Sequence, residues 1–276
     1  MIRSPASLFR PRLSLLNGVA AAGGVMLFPG TTYASLPWLV FAAVALLAAG
    51  GSALNQALEF EADRLMLRTR LRPVARGSMQ PAQAALIGAA VVLSGVLLLA
   101  TAGGVTPALL GAGGILWYLG IYTPLKRRTP YALAAGAVCG ALPPLIGWSC
   151  AGGNIPDYRI MLLAGLLYLW QIPHFWLFQR RHADDYRKAG FPLLTAATAG
   201  THFIGLFGLW TVAMVSATML LPAFGLVSRS IATCFALLIL PMASLALLRS
   251  EKTVFFCLNL FPLLVTLMIV AQKSLY

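Results

Sequence analysis

The chain has 276 residues, of which 59% are hydrophobic and only 10% are charged. Soluble domains average roughly 45–50% apolar and about 25% charged residues, so this composition excludes an ordinary water-soluble fold. The formal net charge of +13 could indicate a nucleic-acid partner. The basic residues are instead confined to alternate loops between apolar segments, as membrane insertion requires, and we expect no nucleic-acid partner.

Nine apolar segments, each long enough to cross the roughly 30 Å hydrocarbon core of a bilayer, follow one another with short polar breaks. Their approximate spans are 12 to 30, 37 to 58, 83 to 103, 106 to 122, 131 to 149, 160 to 179, 203 to 222, 229 to 248 and 253 to 271. They lack the alternation of barrel strands, and only helices or closed barrels satisfy the backbone inside lipid. The sequence therefore predicts an all-α integral membrane protein, a bundle of nine transmembrane helices that forms one domain over residues 1–276.

The distribution of basic residues predicts the orientation of this bundle. A cytoplasmic N-terminus places 17 of the 20 Lys and Arg residues on the cytoplasmic side. Only Arg159, Arg229 and Lys273 then fall on the other side. No long Arg- and Ser-rich presequence precedes the first span, which favours a bacterial inner membrane over a mitochondrion.

Five of the seven acidic residues fall in two clusters on the same predicted side of the membrane. The first cluster is the sequence NQALEFEAD, in which Asn55, Glu59 and Asp63 are spaced four apart and share one helix face, while Glu61 points away. Two carboxylates and an amide at the mouth of a bundle suit Mg²⁺, which takes one or two carboxylates plus water and substrate phosphate. The alternative is a solvated helix end without chemistry.

Four arginines follow the first acidic cluster directly in the sequence RLMLRTRLRP: Arg64, Arg68, Arg70 and Arg72. The bias of cytoplasmic loops toward basic residues accounts for arginines here, but not for acids beside them. A carboxylate-bound metal flanked by guanidinium groups suits a polyphosphate, because both bind its oxygens.

The second cluster is the sequence WQIPHFWLFQRRHADDYRKAGFP, from Trp170 to Pro192. On a continuous helix, Gln171, His174, Arg181 and Asp185 form one polar face running toward the cytoplasm, with Asp184 about 80° to one side. Pro173 predicts a kink in this span, since proline removes a backbone donor. Such breaks often border a cavity in a membrane bundle.

A third segment, WYLGIYTPLKRRTPY, carries Tyr122, Lys126, Arg127 and Arg128 at the end of the fourth span. Aromatic residues followed by cations at a helix end form an ordinary membrane-interface belt. Lys126 lies on the same predicted side as both acidic clusters. It could therefore also contact a diphosphate, and the two arginines could pair with carboxylates of a second substrate.

Three stretches resemble the UbiA superfamily of intramembrane prenyltransferases: NQALEFEADRLMLRTRLRP, YTPLKRRTPYALAAGAVCGALPPLIGW and WQIPHFWLFQRRHADDYRKAGFPLL. The PHF and DYxxAGxP elements are similar to its heme-farnesylating branch more than to its quinone or chlorophyll branches. The resemblance implies that Asn55, Glu59 and Asp63 form the first Mg²⁺-diphosphate motif, and that Asp185, with Asp184 beside it, forms the second. Glu59 stands where the family usually has Asp.

With the resemblance, the candidate residues fall into three groups. The catalytic candidates are Asn55, Glu59, Asp63, Lys126, Asp184 and Asp185. The substrate-binding candidates are Arg64, Arg68, Arg70, Arg72, Tyr122, Arg127, Arg128, His174, Arg181 and Tyr186. The expected Mg²⁺ ligands, acting through the diphosphate, are Glu59, Asp63 and Asp185. His174 has three interpretations: a hydrogen bond to a neighbouring helix, contact with a porphyrin, including its iron, or proton transfer.

The resemblance implies transfer of a farnesyl group from farnesyl diphosphate to the vinyl group of heme b, with Mg²⁺ as cofactor. The expected partners are these two substrates, membrane lipid, and a heme A synthase or a heme-copper terminal oxidase under assembly. Two alternatives stay open. One is a prenyltransferase of the same superfamily that acts on an aromatic acid, a quinone precursor or another tetrapyrrole. The other is a transporter, which would place ionisable groups near the membrane midplane.

Overall fold

The computed structural model describes residues 5–194, 201–233 and 251–275 of the chain. Within these ranges the chain is helical: a short 3-10 turn at Pro5–Leu8 precedes α1 (Pro11–Leu27), α2 (Leu36–Leu65), α3 (Pro81–Gly103), α4 (Val105–Leu125), α5 (Ala132–Cys150), α6 (Tyr158–Arg181), α7 (Ala183–Lys188), α8 (Thr201–Ala223) and α9 (Glu251–Leu275). The all-α class predicted from the sequence is confirmed for the described residues.

Seven of the described helices are long and apolar enough to cross a membrane: α2 to α6, Gly205–Ala223 in α8 and Thr253–Lys273 in α9. Helix α1 covers most of the first predicted span with 17 residues. The predicted span 229 to 248 begins with helical residues at 229–233, and its remainder lies outside the described residues. The chain is thus an integral membrane protein, while the count of nine spans stays a prediction.

Helix α2 extends beyond the predicted membrane span. The apolar run ends near residue 58, but the helix continues to Leu65, and Met66 has extended backbone angles. The acids end the hydrophobic pattern without ending the helix. Glu59 and Asp63 therefore lie on α2, as their four-residue spacing predicts, and not in a loop.

Hydrogen bonds show which helix ends lie together. At one end, which we call the site end, Gln56 donates from Nε2 to the carbonyl of Leu8 (2.8 Å), joining the end of α2 to the start of α1. At the opposite end, Lys273 Nζ donates to the carbonyl of Phe28 (2.9 Å), joining the ends of α9 and α1. This alternation of loops between two ends is what a bundle of antiparallel neighbouring spans requires.

Small residues bring α1 and α5 into close contact. A Cβ atom added to Gly147 would lie 1.8 Å from the carbonyl oxygen of Ala21, and one added to Gly24 would lie 2.0 Å from that of Pro144. Neither position can hold a larger side chain without displacing backbone. Small residues in this way allow the two helices to approach closely, and Ile146, next to Gly147, lines the cavity described next.

Candidate active site

The first acidic cluster is buried at the site end of α2. Asn55, Glu59 and Asp63 are only 5%, 4% and 2% exposed. All three line one cavity, so the prediction that they share a helix face is confirmed. Glu59 has non-helical backbone angles (φ −118°, ψ 15°), so α2 is locally distorted at the residue whose carboxylate lies at the centre of the cluster.

A chain of hydrogen bonds connects Glu59 to helix α4. Thr123 Oγ1 donates to Asn55 Oδ1 (3.1 Å), and Asn55 Nδ2 donates to Glu59 Oε2 (3.1 Å). Lys126 Nζ donates to the same Glu59 oxygen. The π-helical turn Trp117–Tyr122 precedes Thr123, and such turns are frequent at functional sites because they shift side chains out of the regular helical register.

Asp63 forms the second charged pair of the cluster. Arg72 Nη1 donates to Asp63 Oδ2 at 2.6 Å, and Thr69 Oγ1 donates to the backbone carbonyl of Asp63 at 2.9 Å. The loop after α2 therefore folds back over the acids that precede it. Both carboxylates are paired with a cation, as buried charges require.

The cavity has a volume of about 410 Å³ and a polar and an apolar part. The polar part is lined by the acidic cluster and the cations Arg10, Arg68, Arg72 and Lys126. The apolar part is lined by residues of α1, α2, α4, α5, α6 and α9, among them Leu47, Ile115, Leu142, Ile146, Leu167 and Pro262. A ligand with an anionic head and a long apolar body fits this division.

His174 lies in the wall of the same cavity among aromatic rings. Its ring stacks on those of Trp170 (centroids 5.0 Å apart) and Phe255 (5.4 Å). Its Nδ1 atom is buried and has no hydrogen-bond partner. Nδ1 therefore makes no hydrogen bond to a neighbouring helix, while contact with a porphyrin and proton transfer stay predictions. Gln171, predicted on the same face, also lines the cavity.

The second acidic cluster does not continue the helical face of His174 as predicted. Helix α6 ends at Arg181, and His182 has φ −119° and ψ 27°, so the chain turns before the short helix α7. Asp185 is 7% exposed and accepts hydrogen bonds from the backbone N–H groups of Leu67 (2.8 Å) and Arg68 (3.0 Å). The prediction of one continuous face failed because it assumed unbroken helical geometry through His182.

The predicted site residues thus separate into two groups. Those that line the cavity are Asn55, Glu59, Asp63, Arg68, Arg72, Tyr122, Lys126, His174 and Tyr186. Seven do not line it. Arg64 donates to the carbonyl of Ala75, Arg127 Nε lies 3.7 Å from Glu59 Oε1, and Arg181 lies over the ring of Phe255. Asp184 is exposed and paired with Arg187, Asp185 binds the loop after α2, and Arg70 and Arg128 are exposed.

The cavity also includes residues that the sequence reasoning did not assign to the site. Tyr118 stacks on Tyr122 with centroids 5.8 Å apart, and Thr123 binds Asn55. Arg10 lines the polar part and, within the described ranges, is the one non-glycine residue with a positive φ, 45°. Its Arg-Pro-Arg context is the only signal in the sequence, and basic residues near a cytoplasmic N-terminus are also expected from membrane insertion alone.

The donor set of the polar part fits Mg²⁺ held together with a substrate. Among the described residues, no group of three or more His, Cys, Asp or Glu side chains could hold a metal alone. Glu59 Oε1 is buried and accepts no hydrogen bond, although Arg127 Nε lies 3.7 Å from it, so the carboxylate keeps an unsatisfied acceptor beside the polar part. Mg²⁺ commonly takes one or two carboxylates and completes its shell with water and substrate phosphate.

These features define a class of protein: a membrane-embedded helical bundle with a cavity. The polar part of the cavity carries carboxylates and cations, and it continues into the apolar part. The UbiA prenyltransferase family matches residues 16–270. The chain belongs to this family.

Similar proteins agree with this assignment. A protein of Geobacter sulfurreducens named protoheme IX farnesyltransferase is 56% identical over 269 residues, which are 97% of this chain and 98% of that one. A UbiA homolog from Aeropyrum pernix K1 has a TM-score of 0.73 at 21% identity, over 96% and 98% of the two chains. A UbiA homolog from Archaeoglobus fulgidus bound to GPP and Mg²⁺ has a TM-score of 0.68 at 15% identity, over 98% and 99%.

Proposed function

We propose that this enzyme transfers the farnesyl group of farnesyl diphosphate to a vinyl group of heme b. The observation that carries the proposal is the 56% identity, over nearly the whole of both chains, to a protein named protoheme IX farnesyltransferase. The cavity supports it, because its charged head and apolar chamber match a prenyl diphosphate. A cofactor Mg²⁺ would be held by Glu59 and Asp63 together with the diphosphate, where it would neutralise negative charge.

The chain's own residues stabilise the departure of the diphosphate. As the bond between farnesyl C1 and oxygen breaks, negative charge grows on the leaving group. Arg68, Arg72 and Lys126 line the polar part and present fixed positive charge there. Cations that are already in place stabilise such a charge without reorganisation, which is often the largest contribution to catalysis.

The apolar part of the cavity protects the farnesyl fragment from water. Positive charge grows on the farnesyl carbon, and the apolar walls exclude water until the vinyl carbon of heme b has formed the new carbon–carbon bond. Water then adds to the carbon beside the porphyrin ring and loses a proton, which gives a hydroxyethylfarnesyl side chain. The stacked rings of Tyr118 and Tyr122 also line the cavity, and their aromatic faces can stabilise a cation.

The orientation and location of the enzyme are also part of the proposal. We place nine spans in a bacterial inner membrane with the N-terminus and the site end in the cytoplasm. The distribution of Lys and Arg between the two sides of the membrane supports this orientation, since 17 of the 20 fall on the cytoplasmic side in the nine-span arrangement. Prenyl diphosphates and divalent metal would then reach the polar part from the cytoplasm, and the product would pass to a heme A synthase or an oxidase under assembly.

The direct test is a product assay. The purified chain in detergent, with heme b, farnesyl diphosphate and Mg²⁺, should yield farnesylated heme by mass spectrometry, and EDTA or Asp63→Ala should abolish it. A folded wild-type chain that binds heme but gives no product would refute heme b as the acceptor. Turnover of an aromatic acid or quinone precursor under the same conditions would identify the alternative.

A further inference from the structure

Asp185 connects two segments of the site end that are far apart in sequence. Its Oδ1 accepts the N–H of Leu67 and its Oδ2 accepts the N–H of Arg68. The two bonds span 118 and 117 positions. One carboxylate therefore holds two consecutive backbone amides of the loop that follows α2, in the way that an acidic side chain caps the free amides of a helix end.

The segment held by Asp185 carries cations of the cavity. The guanidinium of Arg68 lies over the ring of Phe178 at 5.0 Å, and its Nε is buried without a hydrogen-bond partner. The next residues fold back onto the acidic cluster through Thr69 and Arg72, which both bind Asp63. Fixing the backbone at Arg68 therefore fixes the direction from which its side chain enters the cavity.

Asp185 is charged but does not face the site. It is not among the residues that line the cavity, and each carboxylate oxygen is bound to the loop. Burial alone would raise its pKa, but the amides of Arg68 and Leu67 and the nearby guanidinium outweigh it, so the pKa of Asp185 is lowered. Each oxygen keeps a second lone pair, but the carboxylate is held against the loop and does not line the cavity, so it would have to move to bind a metal there.

We propose that Asp185 is a positioning residue, which sets Arg68 against the prenyl diphosphate through the backbone of the loop, and that it is not a ligand of Mg²⁺. The inference rests on the proposed use of farnesyl diphosphate. It replaces the expectation, taken from the resemblance, that both acidic clusters contribute metal ligands. Glu59 and Asp63 then provide the carboxylates for the metal.

The test compares Asp185→Asn with Asp63→Asn, and uses Glu61→Gln on the exposed side of α2 as the control. Loss of a charged hydrogen-bond acceptor weakens the interaction it makes by about tenfold or more. We therefore expect Asp185→Asn to raise the Kd of farnesyl thiolodiphosphate, an unreactive analogue, by roughly tenfold. The KM of farnesyl diphosphate should rise by roughly the same factor. The Mg²⁺ concentration for half-maximal activity should change less than about twofold, whereas Asp63→Asn should raise it by roughly tenfold. Glu61→Gln should change neither quantity.

Two further measurements separate positioning from a general structural role. Hydrogen exchange should show the amides of Leu67 and Arg68 protected in the wild type and fast in Asp185→Asn, because they lose their acceptor. The effects of Asp185→Asn and Arg68→Gln on analogue affinity should be strongly non-additive, since one acts through the other.

Three results would overturn the inference: fast exchange of both amides in the wild type, additive effects of the two substitutions, or an Asp185→Asn shift in Mg²⁺ requirement equal to that of Asp63→Asn. A wild type that binds the analogue but does not farnesylate heme b would refute the proposed acceptor and leave the role of Asp185 testable by binding. Hydrogen exchange in the wild type needs no variant, so a misfolded Asp185→Asn chain does not remove the test.

Discussion

Lys126 donates a hydrogen bond to Glu59, 67 positions earlier in the chain, and so neutralises the carboxylate that stands at the centre of the acidic cluster. Asp63 has the same relationship to Arg72. Each carboxylate of the polar part thus has its own cation before any ligand arrives. A metal ion must compete with these cations, whereas a metal bound to a diphosphate brings the negative charge that can attract them away.

We therefore expect divalent metal to bind tightly only when diphosphate is present. Titration of the purified chain with Mn²⁺, followed by electron paramagnetic resonance, should show weak binding alone and at least tenfold tighter binding with inorganic diphosphate. Lys126→Met should strengthen binding of Mn²⁺ alone, because it releases Glu59, and should lower activity by about 100-fold, because a cation facing the leaving group is lost.

The two opposite effects of Lys126→Met distinguish this competition from simple damage to the site. A variant that lost both metal binding and activity would show that Lys126 supports the fold of the cluster. Equal Mn²⁺ affinity of the wild type with and without diphosphate would contradict the competition itself. Arg76→Gln, which changes an exposed cation of the loop after α2 that lies outside the cavity, provides the control.

The length of the Glu59 side chain yields a second prediction. Its bonds to Asn55 and Lys126 are made at the locally non-helical position of α2. Glu59→Asp keeps the charge but shortens the reach by one carbon, so we expect kcat to fall by about tenfold with Mg²⁺ dependence retained. Glu59→Gln removes the charge and should lower kcat by about 100-fold or more.

Steady-state kinetics at saturating heme b and farnesyl diphosphate measure both variants, with Glu61→Gln as the control on the same helix. If Glu59→Gln kept wild-type activity, the carboxylate would have no part in metal or diphosphate binding. If Glu59→Asp were as active as the wild type, the bond to Lys126 would not be what sets the geometry.

The first acidic cluster could be predicted from the sequence because its residues follow one another at helical spacing. Asn55, Glu59 and Asp63 recur every four residues, so any continuous helix places them on one face. For Lys126, the sequence predicts only that this cation lies on the same side of the membrane as the acidic clusters. Its partner could not be predicted, since contact between α2 and α4 depends on how the two helices pack.

The second cluster shows where this reasoning stops. The angular position of Asp185 was calculated on a continuous helix, and one residue with non-helical angles, His182, moves the carboxylate from the cavity to the loop at Leu67. Neither the break nor the partner amides leave a pattern in the sequence. The all-helical class needed only composition and segment length, because lipid excludes nearly every alternative.

The contact between α1 and α5 yields a prediction about stability. Gly147→Ala would place a methyl group 1.8 Å from the carbonyl oxygen of Ala21, a backbone atom that cannot move alone. Overpacking of this kind costs about 1–3 kcal/mol or more, so we expect a lower thermal midpoint in detergent. Gly165→Ala on α6 meets no atom within 4 Å and should leave the midpoint unchanged or slightly raised.

A fluorescence-detected thermal shift of the two variants and the wild type measures this difference. An unchanged midpoint for Gly147→Ala would mean that α1 and α5 are separated more widely in the membrane than described. The cavity would then be wider as well, because Ile146 is next to Gly147 and lines the cavity.

His174 yields the last prediction. Its Nδ1 is buried in the cavity wall without a hydrogen-bond partner, and its ring is held between Trp170 and Phe255. His174 lines the cavity, and an imidazole nitrogen that reaches a porphyrin bound there would be a suitable axial ligand for heme iron. Heme b added to the wild type should therefore give a Soret band typical of histidine ligation, and His174→Ala should lose this band. The variant should also raise the KM for heme b by about tenfold and leave the KM for farnesyl diphosphate unchanged.

Added imidazole should restore the band in the His174→Ala variant by filling the space of the missing ring. A His174→Ala spectrum identical to that of the wild type would assign the histidine to packing between the two aromatic rings, since only its stacking contacts would then remain to explain its position.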